Sequence, residues 1–342
     1  MTVLTLGELL LRLSPPGHQR FVQTDRFDAE YGGSEANVAV ALARYGVEAG
    51  FATKLPEHAL GQAALNHLRR YGVSVAPVVR GGDRLGKYFL ETGAAQRGST
   101  VLYDRANAAI TTLTPDELPL DDLLGGAEWL HWSGITPALG EAPRRTVETA
   151  CQAAQDAEIT VSCDLNFRGK LWSEAKAQRV MTSLMEHVDV CISGRGDPFS
   201  VLGLEDPQEG PPTVEVNKEA YAKVVRTMKA RFDFEAVALT LRESWSASMN
   251  GFSALLLDEA DCQSCYRSQR YEMDLVDRVG GGDAFAAGLI CGLLQKEDSR
   301  AALEFAVAAS CLKHTIPGDA NLASRDEVEA LAAGTGGGRV SR

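Results

Sequence analysis

The sequence predicts an α/β fold whose mostly parallel sheet is covered by helices on both faces. Beyond residue 114, apolar runs of strand length alternate regularly with longer runs of helical periodicity. This alternation is typical of βα units, whose strands pair in parallel and whose helices pack on both faces of the sheet. Polar segments follow two of the predicted strands directly, where such sheets place their ligand sites. We therefore expect a binding site at the carboxyl ends of the strands.

The apolar runs beyond residue 114 also predict the positions of the individual strands and helices. Strands are expected near residues 129–132, 159–164, 188–192 and 236–241. Helices are expected near residues 142–157, 174–186 and 218–232. The polar segments at strand ends are 164–168, with the sequence DLNFR, and 240–244, with the sequence TLRES.

The first part of the chain begins with the same kinds of element. Residues 3–13 alternate like a first strand that ends at the turn signal Ser14-Pro15-Pro16-Gly17. A glycine turn at residues 32–33 leads into a helix that closes at Gly46, and a second helix is expected over 60–71. Read alone, the first of these helices is a capped core helix whose Ser34 and Asn37 side chains remain available.

The next residues are expected to form a small antiparallel unit outside the main sheet. Two strands, 86–92 and 100–105, flank a glycine-containing turn and resemble an antiparallel ribbon. With the segment after the first strand, they are expected to form a small β lid built from residues 14–32 and 82–108. The remainder reads as one domain over residues 1–333, followed by a polar, glycine-rich tail at 334–342 that we expect to be disordered.

Composition limits the possible partners and location. The chain has 342 residues, of which 45% are hydrophobic, so it can bury a substantial core. Its 34 basic and 46 acidic residues give a net charge of -12, which argues against nucleic acid or an anionic membrane as the main partner. No apolar run reaches the roughly 18 residues that a spanning helix needs, and no secretory leader is evident. A cytoplasmic protein is expected.

Two apparent motifs are set aside. The seven cysteines are dispersed and read as reduced thiols, and the close pair Cys262 and Cys265 lacks the second pair that a zinc site needs. Residues 81–88, GGDRLGKY, nearly spell a phosphate-binding P-loop. Tyr88 replaces the magnesium-binding Ser or Thr, and a strand rather than a helix follows, so the P-loop interpretation fails.

The segment 277–283, DRVGGGD, has the features of an anion-binding site. Gly280, Gly281 and Gly282 permit close backbone approach, and the apolar run behind them predicts a buried helix with unpaired N-terminal N–H groups. Asp283 lies at the mouth of this helix, where its carboxylate can accept a proton from a hydroxyl that attacks a phosphate. The segment predicts phosphoryl transfer to an alcohol.

Together with residues 32–37, GGSEAN, this segment resembles the two signature motifs of the ribokinase-like (PfkB) carbohydrate kinases. The resemblance covers nearly the whole chain. It implies a three-layer α/β/α fold with a mostly parallel central sheet and a small β lid over the sugar. It also implies that Asp283 is the general base, and that Gly280, Gly281 and Gly282 stabilise charge on the transferring phosphoryl group.

Four segments resemble the 2-keto-3-deoxygluconate kinases within that family. They are residues 7–12, 131–137, 164–168 and 313–319. The resemblance implies a sugar-acid site lined by Gly33, Asn37, Tyr88, Tyr103, Arg105 and Arg168, with Asp319 nearby. Guanidinium groups such as those of Arg105 and Arg168 can bind a substrate carboxylate bidentately, which a neutral sugar does not require.

The nucleotide side is also implied by resemblance. ATP is expected to contact Asn166, Thr240, Arg242, Ser244, Gly280, Gly282, Ala309 and Lys313. Magnesium is expected to be held mainly by the nucleotide phosphates, with Asp197 as a candidate protein ligand. The chain departs from the family pattern here, because Gly194 stands where many relatives have an asparagine. A requirement for a monovalent cation stays open.

The sequence thus predicts an ATP- and magnesium-dependent kinase of a sugar acid, most closely 2-keto-3-deoxygluconate. A kinase of a neutral sugar such as fructose or ribose is the alternative enzyme, and a non-catalytic sugar or nucleotide sensor on the same fold is the alternative from another class. A nicotinamide-dependent dehydrogenase is disfavoured because the first turn lacks G-x-G-x-x-G. The exposed edges of lid strands predict a homodimer or a higher homo-oligomer.

Overall fold

The structure is a computed structural model that describes residues 1–207, 216–258, 265–295 and 298–335. Its strands are β1 (Val3–Leu6), β2 (Leu10–Ser14), β3 (Asp28–Gly32), β4 (Ala49–Leu55), β5 (Val78–Arg80), β6 (Lys87–Glu91), β7 (Thr100–Asp104), β8 (Trp129–Ser133), β9 (Thr160–Asp164), β10 (Val190–Gly194), β11 (Ala236–Ser244), β12 (Met249–Leu257), β13 (Tyr266–Arg267) and β14 (Tyr271–Asp274). Its helices are α1 (Ser34–Arg44), α2 (Ala59–Arg70), α3 (Leu120–Leu124), α4 (Ile135–Ala138), α5 (Glu141–Asp156), α6 (Glu174–Leu184), α7 (Asp197–Leu202), α8 (Lys218–Phe232), α9 (Gly281–Leu294), α10 (Ser299–Lys313) and α11 (Arg325–Ala332).

The central sheet is mostly parallel, as the sequence predicts. Within the described residues its order is β13-β12-β11-β10-β9-β8-β1-β4-β5, with β14 also paired to β12. Every pair from β5 to β11 along this order is parallel. The register places Asp164 opposite Ile192 and Thr240 opposite Gly194, so the carboxyl ends of β9, β10 and β11 lie at one edge of the sheet.

The sequence pattern did not predict the far side of this sheet. The βα alternation stops after β11, which turns directly into the antiparallel strand β12. A short turn at residues 245–248 allows this reversal, since a parallel crossover needs a dozen or more residues. β12 is buried over nearly its whole length, so an apolar run without alternation gave no strand signal.

Helices cover both faces of the central sheet, which gives the predicted three-layer α/β/α arrangement. One buried cluster joins the sheet to α1, α2, α9, α10 and α11. The other joins it to α3, α5, α6, α7 and α8. Because α9 and α1 belong to the same layer and pack together, their N-termini reach the same edge of the sheet.

A second sheet, here called the small sheet, contains β2, β3, β6 and β7 in the order β3-β2-β6-β7. β6 and β7 pair antiparallel, as expected for the ribbon at 86–105. The prediction of one strand over residues 3–13 is wrong, because the chain leaves the central sheet after Leu6 and enters the small sheet at Leu10. Apolar alternation continues across this break, so periodicity could not locate it. The small sheet therefore begins before the predicted lid boundary at residue 14.

The remaining predictions concern single features. The segment after the near P-loop is the strand β6, which confirms its rejection. Six cysteines in the described part of the chain are free thiols, and Cys265 is among them, whereas Cys262 lies outside that part. The predicted tail from residue 336 onward also lies outside it. No helix in the described ranges is long and apolar enough to cross a membrane.

Candidate active site

A cleft of about 540 Å³ lies between the carboxyl edge of the central sheet and the small sheet. Its floor is formed by the ends of β9, β10 and β11, by the N-terminus of α1, and by residues 277–283, here called the glycine loop. The small sheet supplies the opposite wall through Leu10, Tyr88, Leu90 and Tyr103. The chemistry of the cleft thus arises where two sheets and two helix N-termini meet.

The glycine loop ends at the N-terminus of α9. Gly280 precedes the helix with φ of 82°, a left-handed conformation that glycine adopts without strain. A side chain there would meet the carbonyl oxygen of Asp319 at 1.7 Å, so no other residue fits. Gly280, Gly281, Gly282 and Asp283 all line the cleft. The first N–H groups of α9 have no intrahelical acceptor and carry the positive end of the helix dipole, which makes this an anion site.

The Asp283 carboxylate is held by two donors from α1. Ser34 Oγ donates to its Oδ1 at 2.8 Å, and Asn37 Nδ2 donates to its Oδ2 at 2.7 Å. Asn166 Nδ2 in turn donates to Ser34 Oγ at 3.0 Å. Burial raises the pKa of Asp283, while the Asn37 and Ser34 hydrogen bonds oppose this shift. A carboxylate held in this way can accept a proton from a hydroxyl group in the cleft.

Close backbone contact brings α1 into this position. A side chain at Gly33 would meet the carbonyl oxygen of Glu8 at 1.9 Å, so only glycine lets α1 begin against the segment between β1 and β2. Gly33 N also donates to Asn37 Oδ1 at 3.4 Å, which orients the Asn37 amide with its Nδ2 toward Asp283. The glycine motif at 32–33 is therefore a requirement of packing as well as of ligand access.

The two arginines expected to bind a substrate carboxylate differ in whether an acidic side chain already pairs with them. Arg105 is buried and its Nη1 pairs with Glu8 Oε2 at 2.8 Å, while its guanidinium lies over the Tyr103 ring at 4.3 Å. Burial raises the pKa of Glu8 even though Arg105 opposes the shift. Arg168 makes no ion pair within 4.0 Å in the described chain, and its Nη1 donates to the Phe167 carbonyl at 3.0 Å. Its charge does act on the buried Asp164, Asp197 and Asp283 carboxylates, where it opposes the rise of their pKa values. Arg168 thus has acidic neighbours but no direct ion pair that occupies its guanidinium.

Two more arginines line the opposite end of the cleft. Burial, followed by the neighbouring Arg278, lowers the pKa of Arg242 to about 9. Burial also lowers the pKa of Arg278. Neither pairs with a carboxylate within 4.0 Å among the residues described, so an anionic ligand here would meet two cations. This end of the cleft suits a polyanion such as a nucleotide phosphate chain.

Asp319 lines the cleft, but its carboxylate is already engaged. Arg12 Nη1 lies 2.7 Å from Asp319 Oδ1, and the Tyr88 hydroxyl donates to Asp319 Oδ2. Burial raises the pKa of Tyr88, and the Asp319 carboxylate raises it further. The predicted neighbourhood of Tyr88 and Asp319 is therefore present, as a direct contact between the two side chains.

The Asp197 carboxylate, suggested as a magnesium ligand, accepts hydrogen bonds from backbone N–H groups. Asp197 accepts from Phe167 N at 3.3 Å and from Gly194 N at 3.0 Å, so Gly194 contributes its amide N–H where an asparagine side chain was expected. Asp164 lies nearby, and burial together with the charges of Asp197 and Asp283 raises its pKa well above the usual value. The described residues contain no group of three or more His, Cys, Asp or Glu side chains arranged to hold a metal ion.

Comparison with known proteins agrees with this geometry. The model of the pfkB family carbohydrate kinases matches residues 2–325. The chain belongs to this family. Its fold also superposes on the crystal structure of 2-dehydro-3-deoxygluconokinase from Thermotoga maritima with a TM-score of 0.93 and 49% identity, covering 97% of this chain and 99% of that one.

Two characterised relatives are similar along nearly their whole length. The 2-dehydro-3-deoxygalactonokinase of Haloferax volcanii is 36% identical over 334 residues, which cover 97% of this chain and 96% of that protein. The 2-dehydro-3-deoxygluconokinase of Thermoproteus tenax is 29% identical over 329 residues, which cover 93% and 90% respectively. As a member of the family, the chain is a carbohydrate kinase and has its ribokinase-like fold.

The cleft of this family member brings most of the predicted residues together. Those that line it are Gly33, Asn37, Tyr88, Tyr103, Arg105, Asn166, Arg168, Asp197, Thr240, Arg242, Gly280, Gly281, Gly282, Asp283 and Asp319. Ser244, Ala309 and Lys313 do not line it. Ala309 and Lys313 are fully buried in α10, and Lys313 Nζ donates to the Ile316 carbonyl at 3.0 Å. Ser244 lies further along β11 than Arg242, toward the 245–248 turn.

Sequence reasoning missed several contributors. Arg278 adds a cation to the phosphate end, and Glu8 neutralises Arg105. The Ser34 side chain was expected to be available, but its hydrogen bond to Asp283 was not predicted. Arg278 lies inside the signature motif and its charge was a visible signal. Glu8 and Arg12 carried another signal, since charged residues interrupt an otherwise apolar run at residues 3–13. A buried charge in such a run has to find a partner.

Proposed function

We propose that the protein is an ATP-dependent kinase that transfers the γ-phosphoryl group to the terminal hydroxyl of 2-dehydro-3-deoxygluconate or a closely similar sugar acid. The observation that carries this proposal is the Arg168 guanidinium, which lines the cleft together with Asp283 and the N-terminus of α9 and makes no ion pair within 4.0 Å in the described chain. A neutral sugar offers no anion for this cation. A sugar acid offers a carboxylate at one end and a nucleophilic hydroxyl at the other.

In this proposal Asp283 is the general base. Its two donors, Ser34 and Asn37, keep both carboxylate oxygens in fixed positions at the start of α9. The acceptor hydroxyl would give its proton to this carboxylate as it attacks phosphorus. Because phosphoryl transfer proceeds through a loose transition state, positioning matters more than base strength, and an ordinary carboxylate is sufficient.

The glycine loop would stabilise the transferring phosphoryl group. The first N–H groups of α9 have no intrahelical acceptor, and their positions are fixed by the helix, so they require no reorganisation during the reaction. Arg242 and Arg278 are suited to the nucleotide phosphates, because both line the cleft and neither pairs with a carboxylate within 4.0 Å in the described chain. The nucleotide would thus lie across the ends of β10 and β11.

Magnesium would be bound chiefly by the nucleotide phosphates. Asp164 and Asp197 are the carboxylates on this side of the cleft that could orient its water ligands. When bound, the ion would neutralise charge that develops on the phosphate oxygens. Lys313 and Ala309 would contribute to the nucleotide side only indirectly, as support beneath the glycine loop and within α10.

The relatives support a 2-keto-3-deoxy acid as substrate class. Their names specify 2-dehydro-3-deoxygluconate and its galactonate epimer, and the chain matches them over more than nine-tenths of its length. A coupled ADP-release assay with both epimers, gluconate, fructose and ribose tests the proposal. We expect turnover with one or both epimers and little with fructose or ribose. A preference for a neutral sugar would contradict it, and no ATP consumption with any acceptor would favour a sensor.

Assembly through the small sheet belongs to the same proposal. β7 is an edge strand whose Leu102 and Tyr103 are 52% and 39% exposed, and an open edge with exposed apolar side chains favours pairing with a second copy. A homodimer in the cytoplasm is therefore proposed. Light scattering of the purified chain, with Leu102→Lys as the disrupting variant, measures the assembly.

A further inference from the structure

Arg12 is a buried cation that lines no ligand cleft in the described structure. It lies in the middle of β2 with 5% of its surface exposed. Its Nη2 is 2.7 Å from Asp277 Oδ2, its Nη1 is 2.7 Å from Asp319 Oδ1, and its Nε donates to Ser14 Oγ at 2.9 Å. Burial disfavours the charged guanidinium, but the Asp319 and Asp277 carboxylates outweigh this effect and raise the pKa of Arg12. One planar group thus joins two carboxylates from distant parts of the chain.

Those two carboxylates belong to the segments that shape the glycine loop. Asp277 opens the loop, and its side chain accepts from Val279 N at 3.0 Å and from Gly318 N at 3.1 Å. The carbonyl of Asp319 abuts Gly280, at 1.7 Å from where a β-carbon would lie. The position of Gly280 therefore depends on where Asp319 is held, and Arg12 is the ion-pair partner that holds it.

Arg12 also belongs to the wall on the other side of the cleft. Within the small sheet it lies opposite Tyr88 of β6 and Glu30 of β3. Tyr88 reaches the same Asp319 carboxylate from the cleft side. The centre of the small sheet is thus attached to both segments of the anion site, through an ion pair and a hydrogen bond.

We infer that Arg12 is a positioning residue that fixes the glycine loop relative to the small sheet, so that the anion site is formed correctly only while the small sheet is in place over the cleft. The inference rests on the proposed phosphoryl transfer at the glycine loop. Its physical basis is that a guanidinium can bind two carboxylates in one plane, whereas an ammonium acts as a single point charge.

The kinetic test compares Arg12→Ala and Arg12→Lys with a matched control. Arg84→Ala and Arg84→Lys are suitable controls, because Arg84 pairs with Asp104 of the small sheet at 2.6 Å but is partly exposed and does not contact the glycine loop. Since Arg12 is not among the residues that line the cleft, we expect kcat to fall about 100-fold while KM for ATP and acceptor changes little. The Arg84 variants should keep the wild-type kcat.

Chemical rescue distinguishes positioning from general loss of structure. Guanidinium chloride at millimolar concentration should restore part of the kcat of Arg12→Ala, because it returns the planar group to the vacated space. Potassium chloride at the same ionic strength should not. If potassium chloride restored the kcat of Arg12→Ala equally well, the inference that one planar guanidinium joins the two carboxylates would be wrong. If Arg12→Ala raised KM at constant kcat, Arg12 would not be a positioning residue.

Hydrogen exchange tests the inference without any substrate. The amides of residues 277–283 should exchange faster in Arg12→Ala than in the wild type or in Arg84→Ala. If Arg12→Ala does not fold, Arg12→Lys gives the same comparison with the charge retained. Unchanged exchange and unchanged kcat in a folded variant would refute the inference. If the wild type phosphorylates no acceptor, the proposed function fails, and the exchange measurement still decides the role of Arg12.

Discussion

The two walls of the cleft bind negative charge by different means. The glycine loop uses the backbone N–H groups of Gly280, Gly281 and Gly282 and a helix dipole, to which Arg278 of the same loop adds one cation. The acceptor side uses guanidinium groups, and it uses them unequally, since Arg105 is paired with Glu8 while Arg168 makes no ion pair within 4.0 Å in the described chain. The backbone site suits any phosphoryl group, so discrimination between acceptors has to come from the side chains.

The largest expected effect follows from removing the negative charge of Asp283, which lines the cleft. In Asp283→Asn the hydrogen bonds from Ser34 and Asn37 persist in part, but the side chain can no longer accept a proton. We expect kcat to fall by about 10²- to 10⁴-fold with nucleotide affinity largely intact. Steady-state kinetics and ADP titration measure the two quantities. Near-normal turnover in this variant would rule out Asp283 as the base.

The two arginines should respond in opposite ways to truncation. Arg168→Ala removes a free cation, so kcat/KM for the sugar acid should fall by about 100-fold while stability stays near that of the wild type. Arg105→Ala leaves Glu8 buried without its partner, and should lower the free energy of unfolding by about 3 kcal/mol.

Urea unfolding and kinetics on both variants separate the two roles. Arg144→Ala is a control for truncation of a partly exposed arginine, since Arg144 pairs only with Glu141 and Glu148 on α5. If Arg168→Ala lost stability and kept activity, the assignment of Arg168 as the carboxylate-binding residue would be wrong.

A smaller effect should appear in the pH profile. Burial holds the pKa of Asp283 above its usual value, and the Asn37 amide opposes that shift. Activity should therefore be present above the pKa of Asp283 and lost as the pH falls through it. Asn37→Ala removes one opposing donor, so the acid limb of kcat/KM should move to higher pH. Asn66→Ala on the surface of α2 should leave the limb in place, and an unmoved limb in Asn37→Ala would show that Asp283 does not control it.

How much the sequence predicted depends on the range of the interactions involved. The central parallel strands, the start of α9 at the glycine loop and the antiparallel pair β6 and β7 follow from local pattern and glycine placement. The break between β1 and β2 does not, because apolar alternation suits either sheet. The ion-pair partners could not be predicted either: nothing in the sequence says that Glu8 pairs with Arg105, while Arg168 makes no ion pair within 4.0 Å in the described chain.

Long-range contacts also explain the remaining differences. The Asp197 carboxylate accepts hydrogen bonds from the backbone of residues 167 and 194, and Lys313 donates to the carbonyl of Ile316. Both residues were predicted from the sequence to bind ligands. Arg12 and Asp319 are 307 positions apart and meet only because the fold brings β2 beside the segment that follows α10. Such pairings depend on tertiary structure that residue spacing does not encode.

The central claim is that this cleft selects an acceptor by its carboxylate. The most direct test compares wild-type kcat/KM for 2-dehydro-3-deoxygluconate with that for 3-deoxyfructose, which carries a hydroxymethyl group in place of the carboxylate and is otherwise the same chain. The account predicts a preference of at least about 100-fold for the acid, because the neutral compound offers no carboxylate to the Arg168 guanidinium. Equal values for the two compounds, or a preference for 3-deoxyfructose, would contradict it.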